Sequence, residues 1–520
     1  MNRKINKIDD LFKLYGDKYR VFVTATGMLA AFTMVLSGTI VNVAVPDVMG
    51  AFGVGQSEVQ LMSTAFMIAM TTGQLLNAWV VAVVGQRWGF MATLLLFTLG
   101  SFVSGAAENF DMVVLGRVMQ GSAAGVIQPL VMVTVFQAFP EGKRGAALGV
   151  YVMGLVGAAS VGPPLGGLAI EVFNWRYIFY APLILVAIAC PLGMLFMPNV
   201  REDKPPKFDW LGYALICLAL YCLMTGVSNG PRDGWSSNSI VILLIVGVVA
   251  MVVFVLSQRR AGASMLDLSL FRYKMFTMAV IVTCFSAVGN FASVYAVPVA
   301  AQIVQNMTPF EAGMALMPSM LLAMFIMPIS GRLSDKIPPQ TAIITGFVFL
   351  AAGLVPFAFA DANTSFLLIM LYGLIGRWAT AFIQPFIMNT ALKSLPQEKL
   401  NAGGGTLNFA RQLVGSLGTN IWVIFVDWRI EYHAVNLTAT QSASNATSTE
   451  LLKGVEQIFR EAGVPETIHQ AGGLHYLGQM IEAQANAFAF QDGFWVLAVS
   501  YALGIIPAWI MGRIYNRHNK

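Results

Sequence analysis

The stretch Met112-Val-Val-Leu-Gly-Arg-Val-Met-Gln-Gly-Ser-Ala-Ala-Gly-Val-Ile-Gln-Pro-Leu-Val-Met-Val-Thr-Val-Phe-Gln-Ala138 runs for 27 residues with a single charge, Arg117. About 20 apolar residues rising ~1.5 Å each suffice to cross the hydrocarbon of a bilayer. Lipid offers no partners to backbone polar groups, so a spanning segment must be a helix or part of a closed barrel. The apolar residues here are near-continuous rather than alternating, which selects the helix.

Thirteen further runs of this kind flank it. Spans are predicted at 21–46, 59–84, 90–107, 112–138, 146–171, 177–197 and 210–228, then at 239–257, 276–304, 311–330, 341–360, 366–391, 404–426 and 490–513. The 520 residues are 57% hydrophobic and 11% charged, and the mean hydropathy is +0.69. Soluble domains carry roughly 25% charge, so the solvent for most of this chain is lipid. The net charge of +5 sits in short breaks, where topology explains it better than a nucleic-acid partner. Cys190, Cys217, Cys222 and Cys284 fall in apolar runs without metal-ligand spacing and read as buried thiols.

Fourteen spans put both termini on one side. Lys and Arg number 23 in the breaks and tails of that side against five on the other, so both termini are expected in the cytoplasm. The basic lead, residues 1–20, repeats Ile5, Ile8, Leu11, Phe12 and Tyr15 at helical spacing, which suits a short helix lying on the membrane surface. The long apolar run after it, with no small-residue cleavage site, reads as a retained first span. The break at 427–489 is long for a bare connection. Its Ser/Thr cluster followed by Leu451, Leu452, Val455, Ile458 and Phe459 predicts a capped amphipathic helix, and Leu474, Leu477 and Ile481 a second. These helices either cap the outer mouth or dock a periplasmic partner.

Three arginines, Arg117, Arg377 and Arg411, lie within spans. A charge there is costly and marks a bundle interior or wet cavity. For Arg377 a structural cation–π contact with Trp378 competes with a functional role, and for Arg411 snorkelling toward the near end does. No acid sits deep in a span; the nearest are Asp47, Glu58, Asp111, Glu171 and Glu311. The polar residues Asn42, Gln74, Gln128, Asn290, Gln384, Asn389 and Asn408, with Tyr295, are candidates for lining a largely apolar cavity. Motifs of hydrolases and of phosphate-binding loops are missing, so neither an enzyme nor an ATP-driven pump is expected, and no cofactor or metal. Any transport must draw on an ion gradient.

The fifth span carries Gly149, Ala158, Gly162-Pro163 and Gly166-Gly167, and the fourth reads Leu-Gly-Arg117-Val-Met-Gln120-Gly121. With Thr39-Ile-Val-Asn42-Val-Ala-Val-Pro46, Asn174-Trp-Arg-Tyr-Ile-Phe179, Asp267-Leu-Ser-Leu-Phe271 and Asn408-Phe-Ala-Arg411 in this order, the chain resembles the fourteen-helix drug:proton antiporters of the major facilitator superfamily, the EmrB/QacA type. Physically, glycines on one helix face allow close approach, and Pro163 bends the helix into a pliable seam.

The resemblance implies a lead at 1–20, a six-helix bundle at 21–197, two inserted helices at 210–257, a second bundle at 276–513 that includes the loop 427–489, and a tail at 514–520. It implies export of amphipathic or hydrophobic compounds across the inner membrane in exchange for protons, with Arg117, Gln120, Gly121 and Arg411 in coupling, and it allows a periplasmic adaptor and an outer-membrane channel as partners. An importer on the same scaffold and a non-transporting sensor are the rival readings. Relatives commonly carry an aspartate where this chain has Ser37, which leaves Asp47, Glu58 and Asp111 as substitute acids. Near the second span Gln86-Arg87-Trp88-Gly89 departs from Asp-Arg-x-Gly, whereas Gly331-Arg332-Leu-Ser-Asp335-Lys336 keeps the cytoplasmic latch pattern better.

Overall fold

The computed structural model describes residues 8–59, 61–199, 207–259, 265–441 and 445–518. The start of the lead, 1–7, and the end of the tail, 519–520, lie outside the described residues. Fourteen helices are long and apolar enough to cross a membrane, which makes the chain an all-α membrane protein. The first bundle contains Lys18–Ile40, Leu61–Val84, Gln86–Gly105, Phe110–Ala138, Arg144–Val172 and Tyr177–Phe196. A hairpin of Trp210–Asp233 and Asn238–Ser257 follows. The second bundle contains Lys274–Ile303, Pro309–Leu333, Pro339–Leu354, Phe366–Lys393, Leu400–Ala439 and His469–His518.

Burial separates the roles of these helices. The most apolar window of the fourth span is 83% buried, whereas that of the eighth, Asn238–Ser257, is 22% buried and has a hydropathy of 3.3. The fourth is therefore a core element wrapped by neighbours and the eighth faces lipid on most sides. Small residues let the second and fourth spans approach: a Cβ on Gly73 would stand 2.8 Å from the Ser122 carbonyl oxygen, and one on Gly121 or Gly125 would overlap the Phe66 or Met70 carbonyl.

Several boundaries differ from expectation for local reasons. The first span stops at Ile40, tightens into a 3-10 turn at Val41–Ala44 and restarts as a short helix, Val45–Phe52, with Pro46 in its first turn. Gly53 ends that helix at φ 64°. Gly85, at φ 86°, joins the second and third spans without a loop, so Gln86-Arg87-Trp88-Gly89 is the first turn of a helix rather than a connection.

The lead forms a helix, Ile8–Tyr15, and Ile8, Leu11, Phe12 and Tyr15 of its apolar face pack on protein. Leu11 is buried, Phe12 meets the Tyr19 ring at 4.9 Å, and Tyr15 meets Phe196 of the sixth span at 5.2 Å. The break at 427–489 is mostly helix. The thirteenth span continues to Ala439, a separate helix Ala446–Glu461 follows with the Asn445 side chain accepting from the Ser448 amide, and the second apolar stripe belongs to one 50-residue helix ending at His518. The polar residues of that stretch hid its continuity with the last span.

Connections on the face of the termini are tied by side chains. Asp209 caps the seventh span through the Gly212 amide at 2.8 Å and accepts from Gln258 at 2.7 Å. Asp267 accepts from the Ser269 amide at 2.9 Å and pairs with Lys399 at 3.3 Å, which joins the hairpin's exit to the second bundle. Partial burial pushes the Asp267 carboxyl up, but the Ser269 bonds and Lys399 outweigh it and hold it below the usual carboxylate range.

Candidate functional site

A cavity of about 500 Å³ lies between the two bundles, lined by the first, second, fourth and fifth spans on one side and the ninth, tenth, twelfth and thirteenth on the other. Its wall is mainly apolar, with Met34, Met67, Met70, Met320 and Met327 supplying unbranched, polarisable side chains that adapt to varied shapes. The polar residues that reach it include Gln128, Asn290, Gln384 and all three intramembrane arginines.

Arg117 is fully buried. Its Nη1 donates to the Ser37 carbonyl at 3.2 Å, to the Ser37 hydroxyl at 3.4 Å and to Gln120 Oε1 at 3.0 Å, while Nε donates to the Met62 carbonyl at 3.2 Å. The guanidinium stands 4.0 Å over the Phe66 ring, and Gln120 is itself held by Ser101 at 2.8 Å. Ser37 is thus a direct partner of Arg117 through both its carbonyl and its hydroxyl. Arg411 donates to Asn408 at 2.9 Å, and Asn408 donates in turn to the Gly404 carbonyl at 3.0 Å. Trp378 meets Phe349 at 4.9 Å with the rings tilted by 60°.

The remaining candidates are dispersed. Asp47, Glu58 and Asp111 are exposed on the face opposite the termini and do not line the cavity. Asn389 lies at the other face, and Gln74 is packed beside the thirteenth span, where a Cβ on Gly405 would come within 2.5 Å of the Gln74 carbonyl oxygen. Tyr295 is 44% exposed and turns its ring edge to Trp422. The side chains of Asn42 and Pro163 lie outside the described residues.

The glycine seam of the fifth span touches two different helices. Toward the termini, a Cβ on Gly149 would overlap the Met327 carbonyl, and Gly145 packs on Gly331 of the tenth span. Toward the opposite face, Gly162 and Gly166 receive Thr39 and Ile40 of the first span, whereas a Cβ on Gly167 would meet nothing.

At the face of the termini the bundles are bonded together. Asp335, its side chain 3% exposed, accepts the Gly145 amide at 2.9 and 3.0 Å and the Ala146 amide at 3.3 Å. These are free donors at the first turn of the fifth span, where a carboxylate also meets the positive end of the helix dipole. Asn389 and Lys393 complete the site at 3.1 and 3.0 Å. Arg332 is exposed and takes no part; Arg87 donates instead to the Met197 carbonyl at 2.7 Å within its own bundle, and Gly89 packs against Val80. Lys393 was not among the sequence candidates. One available signal is internal: Ile127-Gln128-Pro129-Leu-Val-Met132 in the fourth span recurs as Ile383-Gln384-Pro385-Phe-Ile-Met388 in the twelfth.

Residues 27–419 match the model of the Major Facilitator Superfamily. The chain is 30% identical to the lincomycin resistance protein LmrB of Bacillus subtilis over 78% of this chain and 86% of that protein. It is 28% identical to the multidrug export protein EmrB of Haemophilus influenzae over 94% and 95%. Among solved structures, the human organic anion transporter MFSD10 shares the fold at a TM-score of 0.61 and 13% identity, covering 94% of this chain and 99% of that one.

Proposed function

The chain belongs to the major facilitator superfamily, and from that premise we propose that it exports amphipathic or hydrophobic small molecules from the cytoplasm by alternating access, drawing on the proton-motive force. The observation that carries this reading is the apolar cavity between the bundles, closed from the face of the termini by the Asp335 cluster. Two bundles rocking about a midplane site expose it to each side in turn. The excess of Lys and Arg on the face of the termini favours the cytoplasm for that face, which in this reading makes this the state with the inner gate shut. Relatives named for lincomycin and multidrug resistance support the same direction.

Arg117 is the coupling residue in this reading. It anchors the fourth span to the backbones of the first and second, so its loss would uncouple movement of those helices from cavity occupancy. Among the described residues no Asp or Glu lines the cavity, which favours a coupling in which the substrate's own charge and the membrane potential contribute alongside protons taken up at shallow acids. The helices beyond the thirteenth and fourteenth spans are the part offered to a periplasmic adaptor; co-purification with and without residues 440–480 tests that assembly.

The experiment is dye and drug accumulation in proteoliposomes, with an imposed proton gradient compared against a collapsed one. Gradient-dependent movement toward the side bearing residues 440–480 is expected, and Arg117→Ala should abolish its gradient dependence. Absence of movement across a broad panel would overturn export.

A further inference from the structure

Three guanidinium groups reach one cavity at the middle of the molecule: Arg117 from the fourth span, Arg377 from the twelfth and Arg411 from the thirteenth. Among the described residues no carboxylate pairs with any of them, and none stands in the wall. Each also keeps a buried nitrogen without a partner: Nη2 of Arg117, Nη2 of Arg377 and Nε of Arg411. An intramembrane cation is normally matched by an acid or by backbone carbonyls. Arg117 has carbonyls, but the side chain in hydrogen-bonding reach on the first span is a neutral hydroxyl, Ser37, at 3.4 Å. Among the described residues no acid neutralises this positive field, and a buried donor left unpaired is costly.

Resting on the export reading, we infer that the cavity selects amphipathic anions, single-tailed carboxylates above all, with the head group held between Arg377 and Arg411 and the tail against the methionine-rich wall. A carboxylate accepts from guanidinium donors in charge-assisted bonds, the strongest pairing open to these side chains. A cation of the same shape meets three like charges in a low-dielectric site and is rejected. Asn290 and Gln384, also in the wall, supply neutral hydrogen-bonding groups beside the head group. An anion leaving the cytoplasm also moves with an interior-negative potential, so its charge contributes to its own export.

The test uses the full chain, purified and reconstituted, with three probes on one apolar body: 11-dansylaminoundecanoate, its primary amide, and the corresponding trimethylammonium compound. Binding is read by dansyl fluorescence and transport by uptake with an imposed membrane potential, with and without a pH gradient. The carboxylate should bind at least tenfold tighter than the amide, and the ammonium compound weakest. Ser37→Asp, which introduces an acid beside Arg117, should reduce the ratio of carboxylate to amide affinity about tenfold. Arg377→Gln should take that ratio toward one, with Arg411→Gln as the second variant should the first fail to fold by thermal unfolding and size exclusion.

Equal affinity for the three probes, preference for the ammonium compound, or lack of carboxylate binding overturns the inference. Export of neutral or cationic probes without carboxylate preference would sink it while leaving the export reading intact. Tight, arginine-dependent carboxylate binding without any transport would do the reverse.

Discussion

The Asp335 carboxylate of the second bundle accepts the backbone amide of Gly145, the second residue of the fifth span in the first bundle, with both of its oxygens within 3.0 Å. The contact crosses the seam that must part for the cavity to open toward the termini. Because the donor is main chain, no side chain of the first bundle makes the bond itself. The acid on the second bundle is the vulnerable partner.

Asp335→Asn keeps the shape and loses the charge. Hydrogen bonds to a charged group are worth ~1.5–3 kcal/mol, so the closed inner gate should weaken by about 1–2 kcal/mol, a five- to thirtyfold population shift. Maleimide labelling of Gln137→Cys, half-buried in a cleft between the second and thirteenth spans on the face of the termini, in a background with the four native cysteines replaced, should accelerate accordingly. An unchanged labelling rate would show that the carboxylate does not hold the gate.

Gly149→Leu places a branched side chain where even a Cβ overlaps the Met327 carbonyl. Overpacking of this kind costs ~1–3 kcal/mol or more, and here it falls on the closed arrangement. Transport should drop more than tenfold while the protein still inserts and purifies, with Gln137→Cys labelling raised as for Asp335→Asn. Gly167→Ala, which meets open space, should transport normally. If the two glycine variants behave alike, the seam is not the moving contact.

Arg429 and His433 on the thirteenth helix both reach Asp492 on the fourteenth at 2.7 Å. The groups are about a quarter exposed, so solvent screening limits the contribution to about 1 kcal/mol. Asp492→Ala should therefore lower the Tm by a few degrees and speed proteolysis between residues 440 and 480, with binding in the cavity retained. Identical proteolysis rates would count against a clamp.

Wherever a single physical rule governs, the sequence was legible. Apolar length alone found all fourteen spans, and the price of an intramembrane charge picked out Arg117, Arg377 and Arg411, all of which reach the cavity. Where two elements meet, it was not. Asn389 and Gln384 lie five residues apart on one helix, yet one bonds Asp335 and the other lines the cavity, because a helix of 28 residues passes through both levels. Arg332 has the right sequence neighbours for the latch, but it projects to solvent and Lys393, 58 residues from Asp335 along the chain, takes the acid instead. The helix at 427–439 was hidden for another reason: outside lipid its residues turn polar, and the apolar signal that marks a span ends before the helix does.

The last helix runs unbroken from His469 to His518. Fifty residues at ~1.5 Å make a rod roughly 75 Å long, and the part before Phe490, where the predicted span begins, accounts for about 30 Å of it. Such a rod behaves as a lever with its fulcrum in the second bundle. Every degree by which this helix tilts sweeps its far end by roughly half an ångström. Whatever rotates the second bundle therefore carries the tip with it, further than it carries any side chain of the cavity.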